Sequence, residues 1–278
     1  MSGTTSQSLS GVAETLLIPL YIRALESERS DALLKDVKAL ELVSKRDLDF
    51  SRIKQIKMDK NDQVALILRN RKFDHYTIDF ISRYPEANIV HIGCGLDSRF
   101  ERVDNGQIVW YDLDVPEVIK IRKEFIGDEV DRYRLISCSV FDNSWIDKIG
   151  KNHKLNFLFL AEGVFMYFEE AQIKSLVRAL SNHFPGSELV FDAFSPFLVR
   201  MNNFRFKISR AKMSVHYNWG LKHSKDVEEW ANGITLMNEW FPFDEPEPRL
   251  AGIRWVKHVP LLAKVMGIFH YRLGQAIT

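Results

Sequence analysis

The chain has 278 residues, of which 46% are hydrophobic and 27% are charged, and its formal net charge is +1. This composition is typical of a soluble globular protein, and it argues against nucleic acid or an anionic membrane as a partner, because both select for a strong basic excess. The two cysteines lack the spacing of a metal site, so the sequence predicts neither a disulfide framework nor a bound metal.

Residues 1–84 are predicted to form a helical cover over a sheet. Apolar residues recur at helical spacing from Leu16 to Ala24, and no alternating strand pattern follows before Tyr84. Asn61 and Asp62 are candidate caps of a longer helix. The sequence shows no basic leader, no cleavage site and no apolar window long enough to span a membrane, which predicts a cytoplasmic protein.

Strands and helices alternate after this cover. Five short apolar segments are predicted as parallel strands buried on both faces: Asn88 to Gly93, Gln107 to Asp112, Arg134 to Cys138, Asn156 to Ala161 and Glu188 to Phe194. Two more strands, Thr235 to Trp240 and Ile268 to Leu273, flank a predicted helix near Trp255 to Val265. The helical stripes between the strands predict right-handed crossovers, and hence one α/β domain over residues 85–278 that packs with the cover.

The segment 200–225 carries seven Lys or Arg side chains and no acidic one. A charge run of this kind is most often a solvated loop and helix whose aromatic side chains pack inward. The alternative is a lid over a substrate pocket, inserted at residues 196–232 between the fifth and sixth strands. RNA binding ranks third, because proteins that bind nucleic acid usually carry a basic excess over a whole domain.

A turn with two glycines follows the first buried strand. Gly93 and Gly95 allow a sharp turn and a close approach to a ligand, since neither has a Cβ atom. About 20 residues later the second strand ends in carboxylates, and a carboxylate at that place can accept hydrogen bonds from ribose hydroxyls. Asp114 and Asp112 both fit, because alternate strand residues share a face. The arrangement predicts a cofactor that contains ribose.

The residues after the turn distinguish between cofactors. A dinucleotide-binding turn has a third glycine where this chain has Ser98, directly after Asp97. A carboxylate there repels the pyrophosphate of NAD but attracts the sulfonium and ammonium groups of S-adenosylmethionine. The sequence therefore favours S-adenosylmethionine as cofactor, with S-adenosylhomocysteine as product.

Three sequence blocks together resemble the leucine carboxyl methyltransferase superfamily, and within it the branch of bacterial polyketide O-methyltransferases of the tetracenomycin type. They are Gly93 to Phe100, Asp112 to Glu117 and Ala161 to Phe168, in the order and spacing of that family. The resemblance implies the Rossmann-like fold of class I S-adenosylmethionine-dependent methyltransferases. In that fold seven strands form a mostly parallel sheet, the last strand is antiparallel, and the cofactor lies at the carboxyl ends of the first strands.

The resemblance also implies roles for individual residues. Arg69 corresponds to the arginine that holds the methionine carboxylate, and Arg71 is the alternative if the register shifts by two residues. Asp114, before a Val-Pro pair, corresponds to the acid that binds ribose. The expected cofactor site comprises Arg69, Gly93, Gly95, Asp97, Asp112, Asp114, Glu162 and, around the adenine, Ser139, Val140 and Asp142.

The implied activity is O-methylation of a small polyketide-like phenol or carboxylate. A protein C-terminal carboxyl methyltransferase is the first alternative, and a cofactor-binding or RNA-binding protein without catalysis is the second. The eukaryotic carboxyl methyltransferases have a lysine in their N-terminal arm, whereas this chain has only serines around Ser8 to Ser10. A phenol acceptor would benefit from a general base. Candidates near the pocket mouth are Tyr21, Tyr167, His216 and Tyr217, with Arg23 beside them, and the sequence does not select among them.

Overall fold

The computed structural model describes residues 12–45, 50, 58–150, 156–208 and 216–274. Seven strands form one sheet in the order β3-β2-β1-β4-β5-β7-β6. They are β1 Asn88–Ile92, β2 Val109–Asp114, β3 Tyr133–Ser137, β4 Phe157–Ala161, β5 Glu188–Phe194, β6 Thr235–Trp240 and β7 Met266–Arg272. The first five pair in parallel, and β7 is antiparallel to both of its neighbours. The predicted mostly parallel α/β fold is confirmed.

Nine helices are described: α1 Val12–Ser27, α2 Val37–Ser44, α3 Lys60–Arg83, α4 Arg99–Val103, α5 Pro116–Phe125, α6 Ser144–Ile149, α7 Glu170–His183, α8 Pro196–Ile208 and α9 Pro260–Ala263. The single helix predicted near Trp255 to Val265 is wrong. A 3₁₀ segment, Pro248–His258, ends there, and Pro260 then starts the single turn of α9. Pro260 has no backbone N–H to continue a helix, and proline disfavours helical geometry in the residue before it.

The cap of α3 also differs from the prediction. Asp59, with extended backbone, is the N-cap, and its carboxylate accepts a hydrogen bond of 2.8 Å from the backbone N–H of Asn61. Asn61 and Asp62 lie inside the first turn. A capping residue must itself be non-helical, and that condition is met two residues earlier than the sequence pattern indicated.

The helices before residue 85 pack in two places. α1 and α2 share an apolar cluster that includes Leu20 and Leu42 and reaches Leu96 beside the glycine turn. α3 lies directly on the sheet, where Phe73 shares a second cluster with Trp110 of β2. α3 is therefore continuous with the core of the sheet, and the division at residue 84 stays a prediction. Among the residues described, no helix is long and apolar enough to cross a bilayer.

An ion cluster around the buried Glu188 lies at the amino-terminal edge of the sheet. Glu188, at the start of β5, accepts two hydrogen bonds of 2.8 Å from Arg83 at the end of α3. The Nε2 atom of His270 on β7 lies 2.8 Å from the same carboxylate. Burial alone would raise the pKa of Glu188, but these partners lower it from 4.5 to about 2. The ionised carboxylate therefore stabilises the folded state.

We expect Glu188→Gln to lower the free energy of unfolding by about 1.5 to 3 kcal/mol at pH 7, the usual effect of losing hydrogen bonds to a charged group. Because folding lowers this pKa, the stabilisation is complete above 4.5 and is lost as the pH falls from 4.5 toward 2. Urea titrations across that range measure it. Glu170→Gln, which breaks a surface pair with Lys174, is the control and should cost less than about 0.5 kcal/mol. A constant difference between Glu188→Gln and the parent at all pH values would contradict this account.

Candidate active site

The glycine turn leaves β1 at the carboxyl edge of the sheet. Gly93 and Gly95 have φ angles of 64° and 51°, in the left-handed region that side chains disfavour. A Cβ atom on Gly93 would overlap the side chain of Val164. The backbone N–H of Gly95 donates a 2.9 Å hydrogen bond to the carboxylate of Asp114. The turn and the end of β2 are thus locked together.

The two acids of β2 have different environments. Asp114 borders the large cavity described below, and burial raises its pKa despite hydrogen bonds from the N–H groups of Gly95 and Val115. Asp112 is fully buried and does not reach the cavity. Direct contact between Asp112 and the cofactor stays a prediction, and in this structure Asp114 is the acid of β2 that reaches the cavity.

Asp112 is instead part of the packing beneath the turn. Its Oδ1 atom accepts a 2.8 Å hydrogen bond from the Trp110 indole, and its Oδ2 atom accepts one of 2.6 Å from the Tyr133 hydroxyl. An ion pair with Arg122 completes the set. Burial would raise the pKa of Asp112, but Arg122 and His91 keep it below its ordinary value. Its oxygens therefore already have partners inside the protein.

A cavity of about 1270 Å³ opens over this edge of the sheet, between α1, α3 and α8. Its lining includes two sets of residues. We call the glycine turn with Asp97, Asp114 and Glu162 the polar side, and the apolar and aromatic side chains of Tyr167, Phe194, α8, Tyr217 and the segment from residue 243 to β7 the apolar side. Of the residues selected from the sequence, those that line the cavity are Arg23, Arg69, Gly93, Gly95, Asp97, Asp114, Ser139, Val140, Glu162, Tyr167, His216 and Tyr217.

Three other candidates lie elsewhere. Asp142 is exposed, and it accepts a 3.0 Å hydrogen bond from the N–H of Ser144 at the start of α6. Tyr21 stacks on Phe50, with ring centroids 5.6 Å apart, and does not line the cavity. Arg71 pairs with Glu245 at 3.2 Å, because two residues along a helix turn a side chain by about 200°. The structure therefore does not bring these three residues to the cavity, and their roles at the site stay predictions.

Arg69 reaches the cavity from α3 and joins two strand ends. Its Nε atom donates to Glu162, after β4, at 2.9 Å, and its Nη1 atom donates to Asp192 on β5, also at 2.9 Å. Glu162 accepts a further bond of 2.5 Å from Arg99 and one from Asn70. Arg69 and Glu162, selected separately from the sequence, are therefore direct partners.

These pairs continue into a larger buried cluster, the acid–arginine network, whose members are Asp36, Asp74, Asp97, Glu162 and Asp192 with Arg23, Arg69, Arg99 and Arg102. Burial opposes ionisation of Asp97, but Arg99 and Arg102 hold its pKa well below the ordinary value. With five carboxylates and four guanidinium groups, the network has an excess of one negative charge beside the cavity.

Sequence reasoning missed Asp192, Arg99 and Asn70. Asp192 has a signal that could have found it, because a single acid in the middle of the apolar strand β5 has to be paired or functional. Its carboxylate also accepts a 2.6 Å hydrogen bond from the N–H of Gly163. Arg99 lies in the block that carries the family resemblance, yet nothing local indicates that it contacts Glu162.

Two of the candidate bases lie together at the cavity. The rings of Tyr167 and Tyr217 are edge to face, with centroids 5.4 Å apart. Burial raises the pKa of both hydroxyl groups, so both remain protonated phenols at neutral pH. This environment suits them to packing against a ligand and not to accepting a proton.

Comparison with known proteins agrees with this geometry. A family model described as leucine carboxyl methyltransferase matches residues 17–231. The tetracenomycin polyketide synthesis O-methyltransferase TcmP of Streptomyces glaucescens is 34% identical over 239 residues, which cover 86% of each chain. The S-adenosyl-L-methionine-dependent methyltransferase dpfgK of Gibberella zeae is 30% identical over 275 residues, or 92% of each.

A solved structure of a candidate methyltransferase from Thermobifida fusca is similar in fold, with a TM-score of 0.54 at 12% identity over 92% of this chain and 94% of that one. At this identity the likeness concerns the fold alone. The family match covers most of the chain, and both relatives extend over more than four fifths of it. The chain therefore belongs to the leucine carboxyl methyltransferase family and is an S-adenosylmethionine-dependent methyltransferase.

Proposed function

We propose that this methyltransferase transfers the methyl group to an oxygen atom of a small, largely apolar, polyketide-like acceptor. The observation that carries the proposal is the two-sided cavity of about 1270 Å³. Cavities for a single drug-sized ligand have about 300 to 1,000 Å³, so this volume accommodates a cofactor together with a second small molecule. The name of TcmP, a polyketide synthesis O-methyltransferase, supports a small-molecule acceptor.

The polar side of the cavity fits the cofactor. The backbone of Gly93 and Gly95 lines this side, and Asp114 is placed to accept hydrogen bonds from the ribose. We assign the adenine to Ser139 and Val140, after β3. Among the contacts of the described residues, Nη2 of Arg69 has no hydrogen-bond partner, so it is available to the methionine carboxylate.

When bound, S-adenosylmethionine supplies a methyl group on a cationic sulfur that is ready for in-line displacement. The chain's task is to align the acceptor oxygen with that methyl group and to exclude water, which accounts for several kcal/mol of the barrier. Apolar side chains of α8 and Met266 of β7 line the cavity and can serve this purpose. A carboxylate acceptor needs no base, and His216, which lines the cavity, is our candidate proton acceptor for a phenol.

The alternative functions receive less support. A protein C-terminal carboxylate or an RNA would need an extended surface for a long chain, whereas the basic segment contributes Arg205 and His216 to the lining of the same cavity. Arg210 and Lys212 of that segment lie outside the described residues. Of the predicted lid, residues 196–232, we assign the described parts, residues 196–208 and 216–232, to the wall over the acceptor.

We expect Asp114→Asn to weaken S-adenosylmethionine binding by about 10- to 100-fold, because an amide cannot accept from both ribose hydroxyls and this loss corresponds to about 1.5 to 3 kcal/mol. Titration calorimetry at pH 7 measures the effect. Asp142→Asn is the matched control, since Asp142 is exposed and away from the cavity, and it should bind like the parent. Equal losses in the two variants would contradict the assignment.

The Arg69 assignment has its own control two residues away. Arg69→Lys keeps the charge but loses the planar set of donors, and we expect it to reduce cofactor affinity by about tenfold or more. Arg71→Lys should leave affinity unchanged, because Arg71 pairs with Glu245 outside the cavity. Thermal unfolding shows whether both variants fold. A folded Arg69→Lys protein with full affinity would exclude Arg69 from the cofactor site.

The excess negative charge predicts how the enzyme distinguishes ligands. S-adenosylmethionine and its analogue sinefungin carry one net positive charge, whereas S-adenosylhomocysteine is neutral. We expect sinefungin to bind at least about tenfold more tightly than S-adenosylhomocysteine, which requires only about 1.4 kcal/mol of charge interaction. Competition calorimetry measures the ratio, and Asp192→Asn should reduce it. Tighter binding of the neutral product by the parent protein would contradict the electrostatic argument.

A further inference from the structure

The apolar side of the cavity includes an aromatic wall formed by Tyr167, Phe194, Phe206 and Tyr217. Tyr217 is its centre: its ring lies 5.4 Å from those of Tyr167 and Phe194 and 5.3 Å from that of Phe206. All four residues line the cavity and are half-buried. Their hydrocarbon surfaces are therefore available to whatever occupies this part of the cavity.

The Asn203 side chain fixes the backbone of Tyr217. It lies in no helix or strand, yet Asn203 of α8 bonds to its backbone twice. The Asn203 amide nitrogen donates to the carbonyl oxygen of Tyr217 at 2.8 Å, and the Asn203 amide oxygen accepts from the N–H of Tyr217 at 2.9 Å. One amide thus satisfies both backbone polar groups of the central aromatic residue.

The next residue fixes the other side of the wall. The N–H of Asn218 donates to the carbonyl oxygen of Met166 at 2.7 Å, and the Asn218 side chain donates to the carbonyl oxygen of Tyr167 at 2.8 Å. Tyr217 is therefore held between α8 and the loop after β4. Its place does not depend on the glycine turn or on Asp114.

We propose that Asn203 is a positioning residue for the methyl acceptor: it sets Tyr217 so that the aromatic wall stacks against the planar face of an aromatic acid or phenol. The inference deepens the proposed function and rests on it. Stacking is favourable between offset or edge-to-face rings, and a saturated ring of the same size gains only from burial. Selection for a flat acceptor follows from the wall, which shares no residue with the groups that we assign to the cofactor.

The test compares two acids of similar size: 2-naphthoate, whose rings are planar, and decahydro-2-naphthoate, whose saturated rings are puckered. Their affinities for the full-length enzyme saturated with S-adenosylhomocysteine are measured by calorimetry. We expect the parent to bind the planar acid at least about fivefold more tightly, as one aromatic contact warrants. Tyr217→Phe retains this ratio, whereas Tyr217→Leu and Asn203→Ala bring it close to one. Asn203→Asp keeps one of the two bonds and gives an intermediate ratio.

Lys207→Ala, an exposed change on the same helix, is the matched control and leaves the ratio unchanged. Affinity for S-adenosylhomocysteine is measured for every variant, because it shows folding and reports on the proposed cofactor site separately. If Asn203→Ala does not bind S-adenosylhomocysteine, its ratio is not used, and the ratio measured for Asn203→Asp tests the inference. The inference is overturned if the parent enzyme binds both acids equally or binds neither. It is also overturned if Asn203→Asp has the same ratio of affinities as the parent. The proposed function is overturned if the parent enzyme does not bind S-adenosylhomocysteine.

Discussion

The acid–arginine network is the interaction on which this sheet edge depends. Arg69 and Asp74 belong to α3, Glu162 and Asp192 lie on or next to the central strands, and Arg99 follows the glycine turn. Buried charges are tolerated only when each has a partner, and removing one member of a buried pair costs about 3 to 5 kcal/mol. The pairing therefore fixes the helices before residue 85 against the sheet and leaves the network with one excess negative charge, which favours a cationic sulfur donor.

In the function proposed above, the two tasks of the cavity fall to different parts of the fold. Gly93, Gly95 and Asp114, which we assign to the cofactor, follow β1 or end β2. The aromatic wall and α8 come from the other half of the sheet, after β4 and β5. Changes in acceptor preference can thus arise in α8 without disturbing the cofactor site.

The fold and the glycine turn could be predicted from the sequence because their signals are local. Apolar runs separated by helical stripes mark the strands, and glycines after a strand mark a turn that needs positive φ. Partners that are distant in the chain could not be found in this way. Asp192 is 123 residues from Arg69 in the chain. Strand alternation likewise predicted which face of the sheet Asp112 lies on, but it could not show that Trp110, Tyr133 and Arg122 surround its carboxylate.

The central claim is that this edge of the sheet holds S-adenosylmethionine with its adenosyl group beside Gly93 and Asp114. A crystal structure of the complex with S-adenosylhomocysteine measures this directly. The account predicts ribose hydroxyls within hydrogen-bond distance of Asp114, the amino-acid carboxylate on Arg69 and the sulfur facing the aromatic wall. An adenosyl group bound anywhere else, or a carboxylate away from Arg69, would contradict it.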